Sequence, residues 1–120
     1  MGEVIDVNAP AWLSPEGALL IGRDTVTGSA FYPPRPLAPR TLNVADAVAA
    51  SGKGRIYAFS AVRRMGPDVF VLAMVILEEG PTLLTRIVDC TPETIVIGAE
   101  VSMVVRDLGG APAPCFALLT

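Results

Sequence analysis

The sequence predicts a mainly β protein: a five-stranded OB-fold barrel over residues 51–120, preceded by an arm with short helical turns over residues 1–50. Three observations carry this reading. Ser51–Thr91 consists of three extended apolar runs joined by two tight turns. A short helical turn, Thr91-Pro92-Glu93-Thr94, follows the third run, and two further short strands follow it. That spacing, with a turn or helix between the third and fourth strands, is the layout of an OB-type barrel. Finally, 120 residues leave room for one small domain plus an arm, yet the chain is 52% hydrophobic and only 18% charged, with a mean hydropathy of +0.54. A small barrel does not hide that much apolar surface, so part of it is expected to meet another chain. The bland alternative is an Ala/Val-rich monomer.

Residues 1–13 carry Pro10, Trp12 and Leu13 without a sustained period and read as an extended or mobile lead-in. Trp12 and Leu13 are expected to be exposed anchors. Ser14-Pro15-Glu16 can open a helical turn, with Ser14 as cap and Pro15 at the first helical position. Residues 23–43 are polar and proline-heavy, which favours a stiff polyproline-like path over regular structure. Asn43 to Ala50 resembles one or two turns of helix capped by Asn43. Ser51-Gly52-Lys53-Gly54 then opens the barrel.

The first strand, Arg55 to Arg64, alternates Ile56, Ala58, Ser60 and Val62 with Tyr57, Phe59 and Ala61. Met65 to Asp68 is a turn or loop. Val69 to Leu77 has nine apolar residues, too few for a membrane helix of about 20, and reads as a strand buried on both faces. Glu79-Gly80-Pro81 turns the chain into a third strand, Thr82 to Val88, with Leu83, Thr85 and Ile87 opposite Leu84, Arg86 and Val88. The fourth strand, Glu100 to Arg106, turns Val101, Met103 and Val105 inward. Asp107 to Pro114 reads as a Gly/Pro loop, and Cys115 to Leu119 as a last strand.

Charge and composition exclude several function classes. No run reaches transmembrane length, no basic segment precedes an apolar core at the N-terminus, and Asp6 breaks a myristoylation pattern, so a cytoplasmic protein is expected. There is no histidine, which removes every mechanism built on a histidine base or ligand. Cys90 and Cys115 lack metal-ligand spacing and read as small buried hydrophobes. Six of the nine cationic residues (Arg35, Arg40, Lys53, Arg55, Arg63, Arg64) lie between residues 35 and 64, where Asp46 is the lone acid. The net charge of -3 thus divides into +5 there and -8 elsewhere. A positive field on an acidic chain points to an anionic ligand or an acidic partner surface, or else to a solvated basic face.

Four motifs in order, YPPRP at 32–36, SGKGRIYAFSAV at 51–62, LAMVILEEG at 72–80 and TPETIVIGAEV at 91–101, resemble the zinc-ribbon plus OB-fold proteins that accompany thiolases and acyl-CoA hydratases. The resemblance covers roughly residues 18–118. In that family a ribbon with Cys-x2-Cys-Gly before the prolines and Cys-Pro-x-Cys after them leads into the barrel. Laid on this chain, the four cysteine positions hold Asp24, Thr27, Ala38 and Thr41. None is a thiolate, so a degenerate, metal-free ribbon with no bound zinc is expected. The resemblance implies a non-catalytic accessory subunit of a thiolase-like or hydratase-like enzyme, helping to frame the acyl-CoA entrance. Arg35, Lys53, Arg55, Arg63 and Arg64 are then candidates to face CoA phosphates or acidic partner side chains, since an arginine fork donates two parallel hydrogen bonds.

Three other readings stay open. OB folds often bind single-stranded nucleic acid, and Tyr57 and Phe59 beside Lys53 and Arg55 would form stacking platforms, although an isoelectric point near 4.8 disfavours it. An enzyme would need a nucleophile from Cys90, Cys115 or Ser60 and acids or bases from Glu78, Glu79 or Asp89, with no obvious base beside any nucleophile. A homo-oligomer would pair the uncharged strand Cys115 to Leu119 with a second copy.

Overall fold

The computed structural model describes residues 12–63, 69–108 and 110–119. It has two sheets. A three-stranded antiparallel sheet of the arm has the order β2-β1-β3, with β1 Leu20–Asp24, β2 Ala30–Phe31 and β3 Ala45–Ala49. The remaining strands are β4 Lys53–Arg63, β5 Val69–Leu77, β6 Thr82–Val88, β7 Glu100–Asp107 and β8 Pro112–Leu118. They close a barrel in the order β4-β5-β6-β8-β7, the five-stranded OB-fold that the strand spacing predicts. The 3-10 turn Pro92–Thr94 lies between β6 and β7, with Pro at its start, where a missing N–H is harmless. No described helix is long and apolar enough to cross a membrane.

Inward residues of every barrel strand meet in one core. Ile56, Val71, Val75, Leu83, Ile87, Val101 and Phe116 are buried, and Leu19, Ile21 and Ala50 of the arm join the same cluster. Ala50 also donates its amide to Leu19, while the Ser51 amide donates to a Glu79 carboxylate oxygen at 2.8 Å. The turn after β5 therefore grips the junction between arm and barrel.

Several expectations are corrected. Asn43 to Ala50 is not helical: β3 pairs all five of its residues with β1, from Leu20↔Ala49 to Asp24↔Ala45. A helix of eight residues is marginal in water, and a five-pair ladder outcompetes the helix propensity of alanine. Residues 23–43 contain regular structure too, since β1 ends at Asp24 and β2 forms a hairpin with it, and Leu37 bridges Val44. The Phe31 ring lies over Gly22, so the glycine makes room for the aromatic. Ser14–Gly17 is a hydrogen-bonded turn, not a helix, and the Ser14 hydroxyl accepts from Ala18 N–H. Trp12 and Leu13 are half-buried: Trp12 packs on the core and Leu13 bridges Leu19.

In the barrel, β4 does not alternate throughout. Ile56 pairs with Val75 but Ala58 pairs with Met74, so Tyr57 is the extra residue of a β-bulge and the phase of the strand shifts. Ile56 and Phe59 consequently both face the core, and Tyr57 is 65% exposed. β5 is buried on one face only: Val71, Ala73, Val75 and Leu77 point in, whereas Phe70, Leu72 and Met74 are half-buried and Ile76 is exposed. Val101 is buried as expected on β7, but Val105 is exposed near the barrel rim. The last strand starts at Pro112, inside the expected loop, because prolines are tolerated at a strand start. It is no edge, being paired in parallel with β6 and antiparallel with β7, so it cannot receive a second copy. The expected loop Met65 to Asp68 lies outside the described residues, as does Arg64.

Candidate functional site

Two places on the molecule gather the residues that the sequence singles out. The first is a groove of about 440 Å³ at the arm-side mouth of the barrel, lined by Lys53, Arg55, Ile76, Glu78, Glu100 and Leu119. β4 starts here because Gly52, with φ 79°, and Gly54 let the chain turn and pack closely. Arg55 is engaged within the chain: it donates to Glu100 Oε1 at 2.8 Å and to the Gly98 carbonyl at 3.2 Å. Both side chains of that pair are exposed, so it adds little stability, but it orients the guanidinium and screens its charge. Lys53 lies beside it on the same rim, exposed and outside any described ion pair.

The other cationic candidates lie elsewhere. Arg63 is at the far end of the same eleven-residue strand, roughly 30 Å away at the usual rise per residue. Arg35 is exposed on the loop between β2 and β3. The structure thus brings Lys53 and Arg55 together and leaves Arg35 and Arg63 on separate surfaces. Tyr57 and Phe59 do not form a two-ring platform either, because the bulge sends one ring to solvent and the other to the core.

The candidate nucleophiles and acids have structural surroundings. Cys115 is fully buried, and desolvation pushes its thiol up against the opposing pull of Arg86 and Arg106. Cys90 is also raised, by burial and by neighbouring Asp89; both shifts favour the unreactive thiol. Asp89 is bound by Arg106 at 2.6 Å, and Glu79 holds the Ser51 amide.

The second place is the arm's cavity of about 460 Å³, whose lining includes Asp24, Thr27, Phe31, Ala38, Arg40 and Thr41. All four positions aligned with ribbon cysteines therefore meet. Asp24 is only 2% exposed and its carboxylate accepts from the Thr41 hydroxyl at 2.6 Å, from the Val26 and Thr27 amides, and from the Asn43 side chain with both oxygens. The Thr41 hydroxyl bond, foremost, holds the Asp24 carboxyl well below the usual range; burial opposes it, and the Val26, Thr27 and Asn43 donors reinforce it. Ala38 supplies no donor atom, so the set does not fit a tetrahedral metal centre. Asn43 is the residue that sequence reasoning missed, having read it as a helix cap.

The outer face of the β5–β6 pair is the third feature. Met74 lies directly opposite Leu84 and Leu72 opposite Arg86; Leu84 is 64% exposed, and the Arg86 guanidinium sits 4.1 Å over the Phe70 ring.

Residues 47–106 match the family described as the ChsH2 C-terminal OB-fold domain. The chain is 38% identical over 86 residues to a DUF35 domain-containing scaffold protein of Methanothermobacter thermautotrophicus, covering 66% of this chain and 65% of that one. It is 35% identical over 96 residues to the protein of the same description in Pyrococcus furiosus, covering 74% and 70%. A further such protein, from Methanocaldococcus jannaschii, is 35% identical over 86 residues, covering 66% of this chain and 61% of its own. The chain thus spans less than two thirds of the Methanothermobacter and Methanocaldococcus relatives. Among solved structures, a chain of an Ltp2-ChsH2(DUF35) aldolase superposes with a TM-score of 0.72 at 27% identity, covering 84% of each chain. With half of its length matched and the OB barrel in place, the chain belongs to the ChsH2 C-terminal OB-fold domain family.

Proposed function

We propose that this chain is a non-catalytic accessory subunit that docks on a thiolase-like or hydratase-like acyl-CoA-processing enzyme, stabilising it and helping to frame its acyl-CoA entrance. The observation that carries the reading is the outer β5–β6 face. The solvent side of an antiparallel strand is ordinarily polar, yet here Leu72, Met74, Ile76 and Leu84 make it apolar. The naming of relatives as scaffold proteins and the occurrence of the superposed chain in an aldolase complex support the same reading. Leu84→Lys should leave the unfolding free energy of the lone chain nearly unchanged, within about 0.5 kcal/mol. It should weaken binding to the thiolase-like enzyme of the same genome at least about tenfold, or 1.4 kcal/mol, in titration calorimetry. Undiminished binding would move the interface elsewhere, and a wild-type chain with no affinity for such enzymes would sink the proposal.

Lys53 is the cation best placed to meet a CoA phosphate, since Arg55 is already held by Glu100. Lys53→Ala should raise the apparent KM for acyl-CoA of the reconstituted complex by a few fold while leaving the affinity between the subunits intact. An unchanged KM would confine Lys53 to solvent. We read the arm as a zinc-ribbon-like module held without metal: the Asp24 network occupies the place where thiolates would converge.

A further inference from the structure

We propose that the arm tip, where Leu37, Leu42 and Val44 stand exposed in one loop with Arg35 and Arg40, is a second docking point for the same enzyme. It would fit an apolar surface rimmed by carboxylates. The inference rests on the accessory-subunit reading and adds a surface remote in sequence from the β5–β6 face.

The tip is built to present side chains outward. Leu37 and Val44 are antiparallel bridge partners, so their side chains project to the same side. The Val44 carbonyl is pinned by both the amide and the hydroxyl of Thr25, at 3.0 and 2.7 Å. Leu42 has a left-handed backbone, φ 59°, and is 69% exposed. Glycine or asparagine holds that conformation more easily than leucine, and a solvent-facing leucine gains almost nothing inside the chain. The two residues flanking it are both clamped to buried Asp24, Thr41 through its hydroxyl and Asn43 through its amide. The Leu42 amide itself donates to Ala38. A strained residue held this firmly and aimed at water has its use outside the chain, and its rigidity reduces the ordering needed on binding.

Charge selects the occupant. Arg35 and Arg40 have no ion-pair partner among the described residues, and the carboxylate of the same cavity, Asp24, has its acceptors filled by its own loop. The guanidinium groups are left to carboxylates of another protein, where they would set register and speed encounter.

Binding of the purified thiolase-like enzyme from the same genome is measured by calorimetry against the wild-type chain, Leu42→Asn, Val44→Thr, the double variant Arg35→Glu/Arg40→Glu, and Leu84→Lys. Leu42→Asn should melt at or above the wild-type temperature and yet bind at least tenfold more weakly, a combination that a purely structural role does not produce. Val44→Thr should weaken binding with its fold kept, and the charge reversal should weaken it most at low salt. If Leu42→Asn and Val44→Thr both bind within twofold of wild type while Leu84→Lys does not, the tip is no docking point and the accessory reading stands. If the wild-type chain does not bind at all, both are overturned.

Discussion

Asp24→Ala should lower the melting temperature by roughly 10 °C, from the loss of a buried charged acceptor that serves several donors at once, and should open the arm before the barrel. The Val26 and Thr27 amides, the Thr41 hydroxyl and the Asn43 side chain all end on this carboxylate, and alanine leaves all four without their acceptor at once. Hydrogen exchange at the Val26 and Thr27 amides, read beside the β5 amides, checks the order of opening. Equal protection in both variants would show that the network is dispensable.

The same carboxylate makes stability depend on acid. Its folded-state value lies below the ordinary 3.8, so the ionised form is the one that folding favours. That contribution is fully present above the ordinary value and is lost as pH falls through the folded one. Thermal melts should therefore weaken below about pH 4, and Asp24→Asn should flatten this part of the profile. A wild-type profile that matches Asp24→Asn down to pH 2 would contradict the assignment.

Gly54→Ala should destabilise the barrel by about 2–3 kcal/mol, at the upper end for overpacking. A Cβ at this position would stand 2.6 Å from the Ile76 carbonyl oxygen and 2.7 Å from Val75 Cγ1. The first is backbone of the paired strand and cannot rotate away, so β4 and β5 must separate where Gly54 pairs with Leu77. Gly52 behaves differently. A Cβ there meets only Met103, at 3.6 Å, and the penalty comes from the positive φ, about 1–2 kcal/mol. Urea melts of the two variants should rank them in that order, and a milder effect at Gly54 than at Gly52 would mean that the strands adjust.

The barrel was legible where local pattern and tertiary need coincide. β5 and β6 begin and end where the sequence places them, since apolar runs bounded by Glu-Glu-Gly-Pro leave few alternatives. The bulge at Tyr57 was not legible: one extra residue in an Ala/Phe/Tyr strand leaves no trace in composition, yet it decides which ring reaches water. β3 was misread because Ala45, Ala47, Ala49 and Ala50 favour a helix locally, and only the presence of β1 makes a strand the better answer. Asn43 failed for a related reason. An asparagine before an alanine run looks like a cap, whereas its amide reaches back to Asp24 across nineteen positions, a distance that no local window contains. Lys53 and Arg55 fell together because they share one strand face two residues apart; Arg35 and Arg63 shared only a stretch of sequence.

The edges of the arm sheet bear on how this chain keeps to itself. Each barrel strand has a neighbour on both sides, but two seams are short: the β4–β7 ladder covers Lys53 to Arg55 and the β6–β8 ladder covers Arg86 to Val88. The outer strands of the arm sheet are β2 and β3. β2 has two residues, and β3 carries Asp46 at its centre-left position and follows directly on the Asp24-anchored loop. Short length and a charge are how proteins blunt edges against runaway strand addition. In the arm, strand addition is thus discouraged at the edges, while the apolar excess of this sequence is displayed on a strand face, that of β5 and β6, where side chains choose a partner by shape.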